Sequence, residues 1–253
     1  MTDAARFAGR TAIVTGAASG IGRATALRFA SEGAAVGCLD VADGVDETVA
    51  EIIAAGGRAV AARVNVSDES SVADAVASVR AELGPITILA NVAGVLRFAI
   101  THEASVSDFE LMLDVNLKGP FLMSRAVLPD MLEAGGGAIV NVASSAGMFG
   151  QAYNAGYCAS KGGVAMMTRA IAWEYVNHNI RVNAISPGQV DTPMVNTIDF
   201  PDGMDWKLMR KAMAQGNRSL STDEPAGLIA FLASDEARSM TGTVIPIDHG
   251  ITC

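Results

Sequence analysis

The sequence predicts an α/β fold, and three observations predict it. Short apolar runs alternate with stretches of helical spacing along the whole chain. The first run, Thr11 to Thr15, feeds a glycine-bearing turn, Thr15-Gly-Ala-Ala-Ser-Gly-Ile-Gly22, that opens a helix. A later run, Ile139 to Val142, leads through a loop of small residues into a helix that carries Tyr157 and Lys161. Strand alternating with helix is the pattern of a sheet covered by helices. With 253 residues and no internal repeat, low-complexity tract or linker, one domain spanning 1–253 is expected.

Composition narrows the function classes. Hydrophobic residues make up 50% of the chain, yet no apolar run reaches the ~18 residues of a membrane span. A core-rich soluble protein is expected. The N-terminal stretch MTDAARFAGR is charged and lacks an apolar h-region, so no signal peptide is read and a cytoplasmic location is the default. The net charge of −9 opposes nonspecific binding to nucleic acid or to an anionic membrane. Small molecules remain as partners. The three cysteines, Cys38, Cys158 and Cys253, are odd in number and widely spaced, which points to neither a disulfide framework nor a metal site. Cys158 adjoins Tyr157, but with no histidine nearby in sequence an inert packed thiol is expected.

Taken in order, the apolar run Thr11 to Thr15 is the first strand, and Arg23 to Ser31 has the spacing of a helix. A strand, a glycine turn and a helix N-terminus together suit a pyrophosphate, because glycine lets the backbone approach it and the helix end supplies N–H donors. The second strand, Ala35 to Leu39, ends at Asp40, 18 residues beyond Gly22. A carboxylate there accepts hydrogen bonds from a ribose diol and repels a 2′-phosphate, which favours NAD over NADP. A turn cap is its plainer use. Asp46 to Ala55 is a helix closed by Gly56-Gly57, and Ala59 to Val64 a strand leading to Asn65-Val66. Ser67 or Asp68 caps the next helix, whose Val72, Val76, Val79 and Leu83 form a stripe that Gly84-Pro85 stops.

Ile86 to Ala90 is the fourth strand, ending in Asn91-Val-Ala-Gly94, where small residues again admit a ligand. Leu96 and Phe98 follow, as pocket wall or core. A long helical tract is read over roughly Val106 to Leu132, with Asn116 inside it, where a polar amide is commonly satisfied by the core. Gly135-Gly-Gly137 breaks the chain before the fifth strand. The helix from Tyr157 runs to about Val176, Ile180 to Ile185 is the sixth strand, and Ser186-Pro-Gly188 turns the chain over the sheet edge. Residues 194–217, with Phe200, Met204, Trp206, Met209 and Met213, depart from the rhythm and read as a substrate lid or as a helical pair packed on the body or another subunit. Glu224 to Ala233 is the last helix and Thr243 to Asp248 the seventh strand.

The chemistry is concentrated around Tyr157. Residues four apart on a helix share a face, so Tyr157 and Lys161 project to one place. A phenol with a pKa of about 10 is a poor base, and a nearby ammonium is expected to bring it down. Ser144, where the fifth strand runs out, is placed to hold a carbonyl or alcohol oxygen. Taken alone, such a pair is also what chance puts on a helix surface.

With these motifs on the page, the chain resembles the short-chain dehydrogenase/reductase family along essentially its whole length. The match rests on TGxxxGxG at the first turn, Asn-x-Ala-Gly after the fourth strand, YxxxK after the fifth, a serine 13 residues before that tyrosine, and Pro-Gly after the sixth. The resemblance implies a Rossmann-like, doubly wound sheet of about seven mostly parallel strands, with helices on both faces and the nicotinamide near its carboxyl edge. It implies Tyr157 as general acid/base, Lys161 lowering its pKa and contacting the nicotinamide ribose, Ser144 positioning the substrate oxygen, and Asn116 supporting a water and proton relay. Cofactor contacts carried over by the resemblance are Gly16, Ser19, Gly20, Ile21 and Gly22 at the first turn, with Asp40 after the second strand. They continue with Asn65 and Val66, then Asn91, Ala93 and Gly94, then Pro187, Gly188, Val190 and Thr192. Ser19 is neutral where relatives using NADP often carry a basic residue. Asn65 stands where many relatives have Asp, and Asp248-His-Gly250 replaces the commoner Asp-Gly-Gly. The resemblance also implies a homo-oligomer, dimer or tetramer, joined through the helices near 106–132 and 157–176 and the C-terminal strand.

The function so expected is NAD(H)-dependent interconversion of a secondary alcohol and a ketone. Leu96, Phe98, Met148, Phe149, Tyr153 and the 194–217 segment point to an apolar substrate: a cyclic alcohol, a hydroxysteroid or a 3-hydroxyacyl group. A 3-oxoacyl-[acyl-carrier-protein] reductase is the nearest enzyme alternative, disfavoured by Asp40 and the acidic charge. A nucleotide-sugar epimerase would need a second C-terminal domain. The alternative of another class is an NAD-binding sensor or structural subunit without catalysis.

Overall fold

The structure is a computed structural model that describes residues 6–211 and 218–253. Its strands are β1 (Thr11–Thr15), β2 (Ala35–Asp40), β3 (Arg58–Arg63), β4 (Ile86–Asn91), β5 (Gly137–Val142), β6 (Ile180–Pro187) and β7 (Val244–Ile247). They form one parallel sheet in the order β3-β2-β1-β4-β5-β6-β7. All five residues of β1 are buried, as a strand covered on both faces requires. Alternate residues feed opposite cores. Ala12, Val14, Val36, Ile88 and Val140 join one cluster, while Ile13, Leu39, Leu89 and Ile139 join the other.

The longer helices are α1 (Gly20–Ser31), α2 (Val45–Ala54), α3 (Glu69–Leu83), α4 (Val106–Leu113), α5 (Gly119–Glu133) and α6 (Ala155–Glu174). Two single-turn helices follow, α7 (Pro193–Asn196) and α8 (Trp206–Met209), and then α9 (Asp223–Ala233). Phe29 of α1, Ile52 of α2 and Ile229 of α9 fill the core on one face. Val76 of α3, Met123 and Val127 of α5 and Ala172 of α6 fill the other. Of the two expected caps it is Asp68 that accepts from the Ser71 amide and starts α3. Arg181 of β6 ties the end of α9 to the sheet, donating to the carbonyls of Leu232, Ala233, Ser234 and Ala237. Among the described residues no helix is long and apolar enough to cross a membrane.

The strand order reverses between β1 and β4, so the chain leaves a crevice at the carboxyl ends of these two neighbours. The glycine turn after β1 and residues 92–94 after β4 meet there. Thr15 draws them together, its hydroxyl accepting from the Val92 and Ala93 amides at 3.0 and 3.1 Å.

Two elements differ from the sequence expectation, the 106–132 tract and the C-terminal strand. The tract read as one helix over 106–132 is α4 and α5 joined by a π-helical turn, Asp114–Lys118. That wider turn carries Asn116 into the interior, fully buried. The described part of the 194–217 segment holds α7 and α8 and is docked by aromatic contacts: Phe200 lies 5.0 Å from both Phe98 and Trp206, ring centre to ring centre. Met213 and the rest of 212–217 lie outside the described residues. The C-terminal strand is shorter than read, and His249 has a left-handed backbone, φ 53°.

Candidate active site

The first turn is built for close approach. Gly16 has φ +70°, and a Cβ on it would stand 3.0 Å from the Ala93 backbone. A Cβ on Gly22 would fall 2.0 Å from the Gly16 carbonyl oxygen. Only glycine fits either place. Ser19 precedes α1 with an extended backbone, and its hydroxyl makes no capping bond to the helix, which leaves the helix N-terminus and the hydroxyl facing a ligand together. These residues border a cleft of about 890 Å³, which continues past Asp40, Asn65, Val66, Ala93 and Gly94 to Tyr157, Lys161 and Thr192.

Asp40 closes one end. Its oxygens accept from the Ala18 amide at 2.9 Å and the Ala42 amide at 3.0 Å. The plainer use as a turn cap is therefore real, and it also fixes the carboxylate at the cleft edge with lone pairs to spare. Asn65 likewise serves its own loop, its Oδ1 accepting from the Ser67 amide and hydroxyl.

Some expected contacts lie off the cleft. The Asn91 side chain is buried off the cleft lining and donates to Asn141 on the adjacent strand at 2.8 Å. Pro187, Gly188 and Val190 do not line the cleft; Val190 is buried and bridges to Leu220. Leu96, Phe98 and Met194 do line it, whereas Met148, Phe149 and Tyr153 do not. Tyr153, with φ 61°, holds the docked segment instead: its hydroxyl accepts from the Asp205 amide at 2.9 Å.

At the other end α6 brings Tyr157 and Lys161 to the cleft, and Ser144 stands at the carboxyl end of β5 beside the phenol. Lys161 is buried, and its Nζ donates to the Val142 carbonyl at 2.7 Å. The ammonium sits 5.7 Å from the Tyr157 ring centre. The electrostatics differ from the sequence expectation. Burial pushes the Tyr157 phenol up to about 12, against which the Ser144 hydrogen bond pulls down. Burial also brings Lys161 down to about 8. Desolvation is the largest cause of both shifts, because both groups leave water together. At neutral pH this leaves a phenol beside a largely protonated ammonium.

Asn116 is wholly engaged within the protein. Its Oδ1 accepts from the Val95 amide at 2.8 Å, and its Nδ2 donates to the Val95 carbonyl at 2.9 Å and to Ser160 at 3.1 Å. Through these bonds its side chain pins the chain leaving β4 to α6. Sequence reasoning missed Thr15, Ser160 and the Val142 carbonyl as parts of the site. Thr15 alone left a signal, as the first letter of the glycine motif.

Comparison with known proteins agrees with this geometry. The family model described as enoyl-(acyl carrier protein) reductase matches residues 16–252. The chain is 42% identical over 247 residues to the cis-4-hydroxycyclohexanecarboxylate dehydrogenase of Sinomonas cyclohexanicum, covering 97% of this chain and 98% of that one. It is 39% identical over 248 residues to the 3-oxoacyl-[acyl-carrier-protein] reductase of Thermotoga maritima, covering 97% and 99%. The crystal structure of levodione reductase superimposes with a TM-score of 0.88 at 36% identity, covering 98% of this chain and 99% of the other.

Proposed function

The chain belongs to the short-chain dehydrogenase/reductase family and is an oxidoreductase of secondary alcohols and ketones that uses a nicotinamide cofactor; from that premise we propose that it uses NAD and acts on an alcohol borne by an apolar ring. The observation that carries the cofactor choice is Asp40, held at the cleft edge by two backbone amides. Its fixed negative charge receives ribose hydroxyls and opposes a 2′-phosphate. The apolar mouth formed by Leu96, Phe98, Met194 and Ile198 supports the ring, as does the likeness to a hydroxycyclohexanecarboxylate dehydrogenase.

The glycine turn and Ser19 would hold the pyrophosphate, and Lys161 and Thr192 the nicotinamide half. The dinucleotide supplies the hydride acceptor or donor. Ser144 holds the substrate oxygen against Tyr157. In oxidation the Tyr157 phenolate takes the hydroxyl proton as hydride leaves the carbinol carbon, giving the ketone. In reduction the phenol gives its proton to the carbonyl oxygen as that carbon receives hydride. The ammonium of Lys161 offsets phenolate charge, and Asn116 keeps α6 and the chain after β4 in register. The docked segment around α7 and α8 acts as the lid over the ring. Exposed Val106, Phe121, Met166 and Trp173 on α4, α5 and α6 are the surfaces through which we expect a homo-oligomer to form. Cys38, Cys158 and Cys253 are free thiols, which fits a reducing cytoplasm.

A second reading, reduction of a 3-oxoacyl thioester, draws on the likeness to the Thermotoga maritima enzyme. One experiment separates the two: initial rates, followed by reduced-nicotinamide absorbance, for cyclic secondary alcohols and 3-hydroxyacyl thioesters with NAD and NADP in parallel. The proposal expects turnover of a cyclic alcohol with NAD. Turnover confined to thioesters, or a preference for NADP, would overturn it.

A further inference from the structure

Beside the apolar residues Leu96, Phe98, Met194 and Ile198 the cleft lining carries a guanidinium with donors to spare, Arg97. Arg97 lies on the chain leaving β4, and this chain is fastened to the catalytic side on both flanks. Val95 is held by Asn116, and the Ala99 amide donates to the Tyr153 carbonyl at 2.9 Å, four residues before Tyr157. Phe98 packs on Phe200 of the lid. Arg97 therefore lines the same cleft as Tyr157 and Lys161.

Its bonding is incomplete. Nη1 donates to the Leu96 carbonyl at 2.9 Å, and Nε lies 3.8 Å from Asp108 Oδ1. Among the described residues Nη2 has no partner. Asp108 is held by α4's own cap, its Oδ2 accepting from Ser105 Oγ at 2.7 Å, so it orients the guanidinium without covering the fork. Asp199 lines the same cleft, and among the described residues no ion pair joins it to Arg97. The other cation of the cleft lining, Lys161, is already bonded to Val142. A planar fork with a free edge beside apolar walls matches a carboxylate. The net charge of −9 repels anions at long range, so an anionic substrate needs such a local contact.

We propose that Arg97 binds a carboxylate of the substrate, so that the enzyme takes an apolar ring bearing a secondary alcohol at one end and an anionic group at the other. This rests on the cyclic-alcohol reading above and adds the group that Arg97 selects. The decisive test is binding. Cyclohexanecarboxylate and its neutral counterpart cyclohexanemethanol are titrated by calorimetry into wild type, Arg97→Gln, Arg97→Lys and Asp108→Asn, each loaded with NADH.

Wild type is expected to prefer the acid by about tenfold, the scale of a half-exposed charge-assisted contact. Arg97→Gln should erase the preference, Arg97→Lys restore part of it, and Asp108→Asn increase it by removing a neighbouring negative charge. Raising the salt concentration should weaken binding of the acid alone. Equal affinities for acid and alcohol in wild type, or a preference that survives in Arg97→Gln, would overturn the proposal. Turnover of 4-hydroxycyclohexanecarboxylate and its methyl ester is read separately. Silence with both, while binding discriminates as stated, counts against the cyclic-alcohol reading and leaves the role of Arg97 standing.

Discussion

Replacing Lys161 by Met should separate activity from stability. The ammonium is buried with one carbonyl partner, and burial brings it from 10.5 down to about 8. Holding it charged at pH 7 therefore costs the folded state about 3 kcal/mol relative to the unfolded chain. Methionine removes that cost and fills similar space. Against it stands the Val142 carbonyl, which loses its donor at a cost of about 1–3 kcal/mol. The variant should end at wild-type stability or up to about 2 kcal/mol above it at pH 7, while turnover collapses. The pH dependence gives the sharper sign. A folded pKa below the unfolded one means a contribution that is present above pH 10.5 and lost as pH falls through about 8. Wild type should thus gain on the variant between pH 8 and 10, by up to about 1.4 kcal/mol per pH unit. Tyr157 works in the opposite sense and higher window, its contribution present below pH 10 and lost as pH rises through about 12. Urea denaturation of both proteins at fixed concentration across pH 7 to 10 measures the difference. A gap that does not move with pH, or a variant more than about 3 kcal/mol less stable at pH 7, would refute the reasoning.

Two further outcomes follow from the site. Because burial keeps Tyr157 protonated at neutral pH, alcohol oxidation should speed up as pH rises above 7 while ketone reduction does not, read from kcat/KM profiles in both directions. Profiles that run parallel would contradict the role of the phenol. Asp40→Ala removes the fixed charge at the cleft edge and should cut the NAD over NADP preference by about tenfold or more. An unchanged ratio of kcat/KM for the two cofactors would show that discrimination resides elsewhere.

Much of this molecule is legible in its sequence because its chemistry is local. The strands read as apolar runs since a sheet covered on both faces buries every residue, as β1 does. The glycine turn and the Tyr157–Lys161 spacing are local for the same reason. The π turn at Asp114–Lys118 was not legible: its change of period is one residue long, inside a tract already rich in apolar residues. Helix α1 begins at Gly20, three residues before the expected start, because the motif residues Ile21 and Gly22 already belong to its first turn, which follows the left-handed backbone of Gly20 (φ 53°). The partner of Asn116 is Val95, 21 residues away and in no motif, so its clamp needs the fold. The direction of the Tyr157 shift was also hidden, since spacing tells which groups are neighbours and only packing tells how dry they are. Arg97 escaped because its place in the cleft lining beside Asp108 exists only once the chain is folded.

The central claim is that Tyr157 moves the proton in an NAD-linked reaction at a secondary alcohol. Its most direct test is Tyr157→Phe, measured for oxidation rate on a substrate the wild type turns over and for NAD binding by fluorescence quenching. The account predicts turnover reduced by about 100-fold or more with NAD affinity changed by less than about threefold. A phenylalanine variant that still oxidises the alcohol at near wild-type rate would contradict it, and would move the protein toward a role in which the dinucleotide is bound but not reduced.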